Sequence, residues 1–119
     1  MSDSLHKITI GGEQKEIKMS YGLLNELCQL AGDIDVALTF ALNNDIRNEV
    51  LLAILSERDE RGKVTSAPNL FYLDADHDEV NDLLDWAGAH VTDFFLRAAQ
   101  RTKATALARK SQLEALQST

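Results

Sequence analysis

The sequence is poor in features that mark several protein classes. Cys28 is the only cysteine among 119 residues, so an internal disulfide is excluded and a reducing compartment is the simplest expectation. No apolar run reaches the roughly 18 residues of a membrane-spanning helix. The first residues also lack the basic and apolar regions of a signal peptide. We therefore expect a cytoplasmic protein that does not enter a membrane.

Basic residues are scarce as well. The chain has 12 Lys and Arg against 19 Asp and Glu, which gives a net charge of −7. Nucleic-acid binders depend on basic side chains for phosphate contacts, so this balance argues against nucleic acid as the partner of the whole chain. With 45% hydrophobic and 26% charged residues, the composition is typical of one globular domain.

Residue types that carry chemistry do not form a recognisable motif. The three histidines lack metal-ligand spacing, and paired cysteines and a GxSxG nucleophile motif are missing. Cys28 lies in phase with the leucines of its predicted helix, which favours a buried apolar role. The acidic residues 74–79 are similar to a calcium loop, but Glu79 stands where that loop requires glycine. We predict a protein that is not an enzyme and needs no metal or cofactor.

Alternation and helical periodicity predict a mainly α fold that begins with a β-hairpin. Residues 5–19 alternate around Gly11-Gly12, a pair that supports a tight turn. Three helical segments follow over residues 20–56. Ser20 and Asp33 are the candidate N-caps of the first two, and Gly32 is placed to end the first. Asn43-Asn44 interrupts the apolar second segment, 34–42, and the third covers residues 45–56. Residues 57–63 form a charged loop, and residues 64–73 are compatible with either a strand or a helical turn.

The last predicted helix is long and amphipathic. It begins at Asp76, because Asp76-x-x-Glu79 matches a capping box, and its apolar residues recur every three or four positions past Gly88. Glycine inside a helix costs about 1 kcal/mol relative to alanine. Gly88 therefore indicates either a close backbone approach or a bend. The complete fold prediction is a hairpin followed by four or five helices.

Charge changes sign near the end of this helix. Up to Leu96 there are seven basic and eighteen acidic residues, and after it five basic and one acidic, which gives −11 and +4. The helix dipole explains an acidic start but not the whole basic end, because its effect fades within about one turn. We predict a domain over residues 1–98 and a basic, partly ordered tail over residues 99–119. The tail either orders on a partner or is disordered.

Aromatic and basic side chains around this boundary are the candidate partner-binding residues. His90 shares a helix face with Trp86 and Phe94. The adjacent rings of Phe94 and Phe95 admit two interpretations: both belong to the core, or one is an interface anchor. The full set is Trp86, His90, Phe94, Phe95, Arg97 and Arg101.

The order of elements resembles a known family. The chain opens with Ile8-Thr-Ile-Gly-Gly-Glu and Ile17-Lys-Met-Ser-Tyr-Gly-Leu-Leu, continues through a leucine-rich middle, and then has Leu84-Asp-Trp and Asp93-Phe-Phe-Leu. This pattern is similar to that of the tail assembly chaperones of long-tailed, siphovirus-type bacteriophages. The similarity covers most of residues 5–100.

This resemblance implies a non-enzymatic protein that binds the tape-measure protein and helps to recruit tail tube protein. It also implies action in the host cytoplasm and absence from the mature virion. Many such genes give a longer product by programmed frameshifting, and residues 97–119 would join that extension. Self-association is compatible with the apolar helices.

We hypothesise that the third and last helices form the binding groove, with Trp86, Phe94 and Phe95 near its rim. The alternative is a small, phage-type regulatory nucleic-acid-binding protein that uses the basic tail. A small enzyme is opposed by the lack of a catalytic motif.

Overall fold

The computed structural model describes residues 4–117 and confirms the mainly α fold with an N-terminal hairpin. Residues 1–3 of the predicted domain and residues 118–119 of the predicted tail lie outside the described range. The elements in chain order are β1 (Leu5–Ile10), β2 (Glu13–Lys18), α1 (Tyr21–Ala31), α2 (Ile34–Ala37), α3 (Asn44–Leu55), β3 (Glu57–Arg58), β4 (Val64–Ser66), a 3₁₀ turn (Leu70–Tyr72) and α4 (His77–Gln117).

The predicted local signals act as expected in the first part of the chain. Gly11 and Gly12 have φ angles of 59° and 81°, which the tight turn between the antiparallel strands β1 and β2 requires. Ser20 Oγ accepts a hydrogen bond from the Leu23 N–H and caps α1. At the other end of α1, Gly32 has a φ of 77°, and its N–H donates a hydrogen bond to the Cys28 carbonyl.

The apolar segment 34–42 is less helical than predicted. Its start is capped by Asp33, whose Oδ1 accepts from the Val36 N–H, but α2 ends after one turn at Ala37. The chain continues in turns up to Asn43, whose side chain accepts from two backbone N–H groups and caps α3. We call residues 34–42 the α2 segment.

Residues 57–63 were predicted as a charged loop, but the first two of them form a strand, β3. Residues 64–73, which the sequence left open, contain both a strand and a helical turn. Strands β3 and β4 form a short antiparallel hairpin, and Gly62 at its turn has a φ of 82°. Arg58 forms an ion pair with Glu26 and so joins this hairpin to α1. Residues 64–66 are therefore strand, whereas residues 70–72 form a helical turn.

The core lies between α1, α3, the α2 segment, β1 and the first half of α4. Its largest fully buried side chains are Phe40, Ile8, Leu27, Leu83, Leu84, Val50 and Val91. Every one of these seven is apolar, and together they come from all the main elements. The first half of α4 is thus the central helix of the domain.

Gly88 marks a close backbone approach, the first of the two alternatives predicted for it. A Cβ atom added at Gly88 would lie 2.6 Å from the carbonyl oxygen of Ala37 and 3.6 Å from Phe40 Cδ2. Both neighbours belong to the α2 segment and are buried. Glycine is therefore required here because the backbone of the α2 segment rests directly on α4.

Glu79 has a different role from the one the capping box predicts. Its Oε1 accepts a hydrogen bond from the Thr9 N–H of β1 at 3.3 Å. Nearby, the Gly11 N–H donates to the Asp74 carbonyl at 2.8 Å, and Ile10 pairs with Ala75 in an isolated bridge. The start of α4 therefore holds the hairpin in place, because its polar groups are turned towards β1.

Helix α4 continues far beyond the core. Its residues 99–117, which we call the arm, are helical and exposed throughout, so residue 98 is a boundary of burial and not the end of the helix. The predicted tail is thus more regular than the fraying that we expected. The radius of gyration is 18.5 Å, whereas a compact domain of this length has about 13.5 Å. The difference reflects the extended arm.

Candidate partner-binding surface

Trp86 lies in the core and not at the rim of a groove, which corrects our hypothesis. Its side chain is 9% exposed. Its ring lies 5.2 Å from the ring of His6 on β1 and 5.1 Å from that of His90, measured between centroids. The hairpin packs across this face of α4, a long-range contact that helical periodicity alone does not reveal. Trp86 therefore belongs to the packing between hairpin and helix, and His90 lies beside its ring on the same helix.

The two adjacent phenylalanines have different environments. Phe95 is partly buried and packs against the core, whereas Phe94 is 42% exposed. Their rings meet edge to face with centroids 6.0 Å apart. Of the six predicted residues, Phe94 is thus the aromatic one with substantial access to solvent.

The two predicted arginines lie on the exposed part of α4. Arg97 Nε is 3.0 Å from Asp93 Oδ2, in a pair one helical turn apart on the surface. Such an exposed pair contributes about 0.2–1 kcal/mol. Arg101 is an exposed residue of the arm. Because Trp86 is buried and Phe95 partly buried, the exposed residues among the six are Phe94, Arg97 and Arg101.

An apolar groove lies between α4 and the α2 segment, and not between α3 and α4 as we had hypothesised. Its volume is about 430 Å³. The close approach at Gly88 forms its floor, because there the two backbones meet. The lining residues are Ala37, Leu38, Phe40, Leu84, Asp85, Gly88, Ala89, Thr92, Asp93 and Leu96.

The groove combines an apolar lining with acidic side chains. Leu38 and Leu96 are 65% and 50% exposed, which is high for leucine beside a buried core. Asp85 and Asp93 are the charged residues of the lining, and both are exposed. An amphipathic helix that carries basic side chains beside its apolar stripe has the complementary chemistry.

Sequence reasoning missed this groove although a signal for it is present. Asp85, Ala89, Thr92 and Leu96 follow one another at spacings of four, three and four residues, so they share one side of α4. That side is adjacent to the core-facing side, and the stronger leucine pattern of the core concealed it. Leu38 was assigned to a buried helix, whereas α2 ends before it.

A second exposed apolar feature lies on the 3₁₀ turn. Phe71 and Tyr72 are 87% and 77% exposed, and their rings meet edge to face with centroids 5.0 Å apart. The turn is capped by Asn69, whose side chain accepts from the Phe71 N–H. This aromatic pair projects from a short loop and does not line the groove.

The single cysteine and the potential metal ligands are two kinds of group with possible site chemistry. Cys28 packs against the core, and this burial raises the pKa of its thiol, which disfavours the reactive thiolate. Within residues 4–117, no three His, Cys, Asp or Glu side chains are grouped so that they could hold a metal ion. In the same range, no helix combines the length and apolar character needed to cross a membrane.

No family model, curated protein or solved structure matches this chain. The groove and the arm therefore have to be interpreted from their own geometry and charge.

Proposed function

We propose that this protein is a non-enzymatic tail assembly chaperone that binds the tape-measure protein and helps to recruit tail tube subunits. The groove between α4 and the α2 segment carries this proposal. It offers exposed leucines next to carboxylates, a combination suited to holding an amphipathic helix of another protein. In addition, the observed order of elements, a hairpin, a leucine-rich helical middle and a long last helix, is the order on which the resemblance rests.

A holder of apolar helices must itself stay in solution. The net charge of −7 opposes self-precipitation of a chain that exposes several large apolar side chains. Apolar patches of this kind on otherwise charged surfaces are typical of protein-binding sites. These properties support a chaperone of protein partners.

The test is capture of a tape-measure protein. We expect the purified chain to bind that protein and to reduce its aggregation, as measured by pull-down and light scattering. The groove variant Leu38→Lys with Leu96→Lys should lose this capture, because it places two charges where an apolar stripe would lie. Both side chains are at least half exposed, so the fold should tolerate the change.

Leu42→Lys is the matched control. Leu42 belongs to the same α2 segment and is 80% exposed, but it does not line the groove. It should therefore leave capture unchanged. Equal binding by the groove variant and the control would contradict the site. A tape-measure gene directly downstream, in an overlapping frame, would support the assignment independently.

A nucleic-acid-binding role is a second candidate, favoured by the arm. Arg101, Lys103, Arg109 and Lys110 are all exposed on this one helix. If the arm binds DNA, a gel shift at low salt should disappear both on deletion of residues 99–119 and on raising the salt concentration. The absence of any shift at low salt would remove this candidate.

A further inference from the structure

With its arm, the chain exposes more surface than a compact protein of the same mass. The chain exposes 8539 Å², whereas a compact protein of its mass exposes about 6,400 Å². The excess of about 2,000 Å² per chain is more than the roughly 800 Å² that each partner contributes to a standard protein interface. Most of the stability of protein helices comes from tertiary packing, and the arm is exposed throughout. Both facts point to a protein that covers the arm.

One side of α4 carries a continuous pattern that joins the groove to the arm. Its positions alternate at spacings of four and three residues, as in a coiled coil, so they lie along one stripe of the helix. The first four line the groove, and the last five belong to the arm. In order, the stripe consists of Asp85, Ala89, Thr92, Leu96, Ala99, Lys103, Ala106, Lys110 and Leu113.

The stripe is complementary to itself when it is reversed. If two copies of α4 run antiparallel with Leu96 opposite Ala99, then Ala89 comes opposite Ala106 and Asp85 opposite Lys110. The same register places Lys103 opposite Thr92 and beside the second acidic residue of the groove, Asp93. Leu96 thus meets Ala99 at the centre, Ala89 meets Ala106 farther out, and opposite charges meet at both ends.

We propose that two copies of this chain form an antiparallel, two-fold symmetric dimer in which the arm of each copy lies in the groove of the other. A two-fold axis near residues 96–99 makes both contacts identical and closes the assembly. Pairing of arm with arm alone, or parallel pairing, would place lysines against lysines, which is unfavourable. This dimer does not rest on the proposed chaperone role. If both hold, a tape-measure helix would have to displace the arm, because both bind the same groove.

The first test measures the mass of the purified full-length chain by sedimentation and light scattering. We expect twice the chain mass of 13.2 kDa at micromolar concentrations. Lys103→Glu with Lys110→Glu should raise the dissociation constant by about 100-fold or more, because four attractions become four repulsions. Asp85→Lys with Asp93→Lys should have the same effect. All four side chains are exposed, so both variants should keep the fold.

Arg101→Glu with Ala108→Glu and Gln112→Glu is the matched control. It makes the same change in net charge on the same arm, but these exposed residues lie on the opposite side of the helix from the stripe. The control should therefore remain dimeric.

Mixing the two charge-reversed variants provides a more specific test. Each arm of glutamates then meets a groove of lysines, and each arm of lysines meets a groove of aspartates. An equimolar mixture should therefore form a heterodimer, although each variant alone is monomeric. A mixture that stays monomeric would overturn the reciprocal contact.

Cysteine cross-linking determines the direction of pairing. In a Cys28→Ala background, Ala89→Cys with Ala106→Cys should form a disulfide-linked dimer. Within one helix these positions are roughly 25 Å apart, which is too far for a disulfide. The single Ala89→Cys variant is the control and should not cross-link in the antiparallel register. Efficient cross-linking of the single variant would indicate parallel pairing and contradict the proposal.

Three further results would also overturn the proposal. The first is a wild type that stays monomeric up to about 100 μM, a concentration well above that needed by most specific dimers. The others are open-ended oligomers and a dimer that survives the Lys103 and Lys110 reversal. The same reversal separates this proposal from the chaperone role. It leaves the groove residues unchanged, so capture of the tape-measure protein should persist in the monomeric variant. If the wild type is a dimer but neither it nor the monomeric variant captures the tape-measure protein, the result counts against the chaperone role alone.

Discussion

Replacement of Gly88 by alanine tests the contact that forms the groove. In an open helix this change would stabilise the protein by about 1 kcal/mol. Here the new Cβ atom would lie 2.6 Å from the Ala37 carbonyl oxygen, whereas real Cβ atoms essentially never approach within 3.0 Å. The α2 segment would therefore have to move by roughly 0.4 Å or more, and overpacking of this kind costs about 1–3 kcal/mol. The obstructing atom belongs to the backbone and cannot rotate away, so the upper part of this range applies. After the gain of about 1 kcal/mol is subtracted, we expect a net loss of about 1–2 kcal/mol.

Urea unfolding followed by the fluorescence of Trp86 measures this loss. Trp86 is the only tryptophan and is buried, so its emission should shift to longer wavelength on unfolding. The midpoint for Gly88→Ala should fall by roughly 0.5–1.5 M urea relative to the wild type. Both proteins are compared at one concentration, because self-association would make the midpoint depend on concentration.

Gly22→Ala is the matched control for this change. Gly22 lies in helix α1 and has nothing within 4 Å of an added Cβ atom. Alanine there should leave stability unchanged or raise it by up to about 1 kcal/mol. If Gly88→Ala is as stable as the wild type, the backbone of the α2 segment does not rest on α4 as described, and our explanation of this glycine is wrong.

Four further perturbations have defined outcomes. Trp86→Ala should cost about 3–5 kcal/mol, measured by circular dichroism, because its ring is buried under the hairpin; a smaller loss than 1 kcal/mol would contradict this packing. Truncation after Ala98 should leave Trp86 emission unchanged, because residues 99–117 are exposed; a red shift would contradict the boundary. Thr92→Val should stabilise the protein by about 1 kcal/mol, since within residues 4–117 the buried Thr92 Oγ1 has no hydrogen-bond partner. Cys28 should react with iodoacetamide more slowly in the folded than in the unfolded chain, and faster as the pH rises, because burial raises the pKa of its thiol; equal rates would refute this.

Local signals in the sequence were sufficient to predict most element boundaries. Ser20 and Asp33 cap helices through their own side chains, and Gly32 ends α1 through a positive φ angle. These interactions span only a few residues, so the sequence contains all the groups that make them. Gly88 was also interpretable, since an unfavourable residue inside a strong helical pattern requires a compensating contact.

Contacts between distant elements could not be predicted in this way. The wide apolar pattern of residues 34–42 indicated a helix, yet α2 ends after one turn and leaves Leu38 exposed beside the groove. Trp86 was expected at an interface, but the hairpin covers it, and β1 lies about 80 positions earlier in the chain. Periodicity shows which residues share a face of a helix. It does not show which element covers that face.

The charge reversal along α4 is determined by the sequence alone: acidic residues come first and basic residues follow Leu96, whatever the fold. Only the tertiary structure decided what the two halves do. Packing of the α2 segment against Gly88 makes the acidic half one wall of a groove, while the basic half extends beyond the core as an exposed helix. The physical reason is that charge and periodicity are local properties of the chain, whereas burial depends on which distant element supplies the opposite surface.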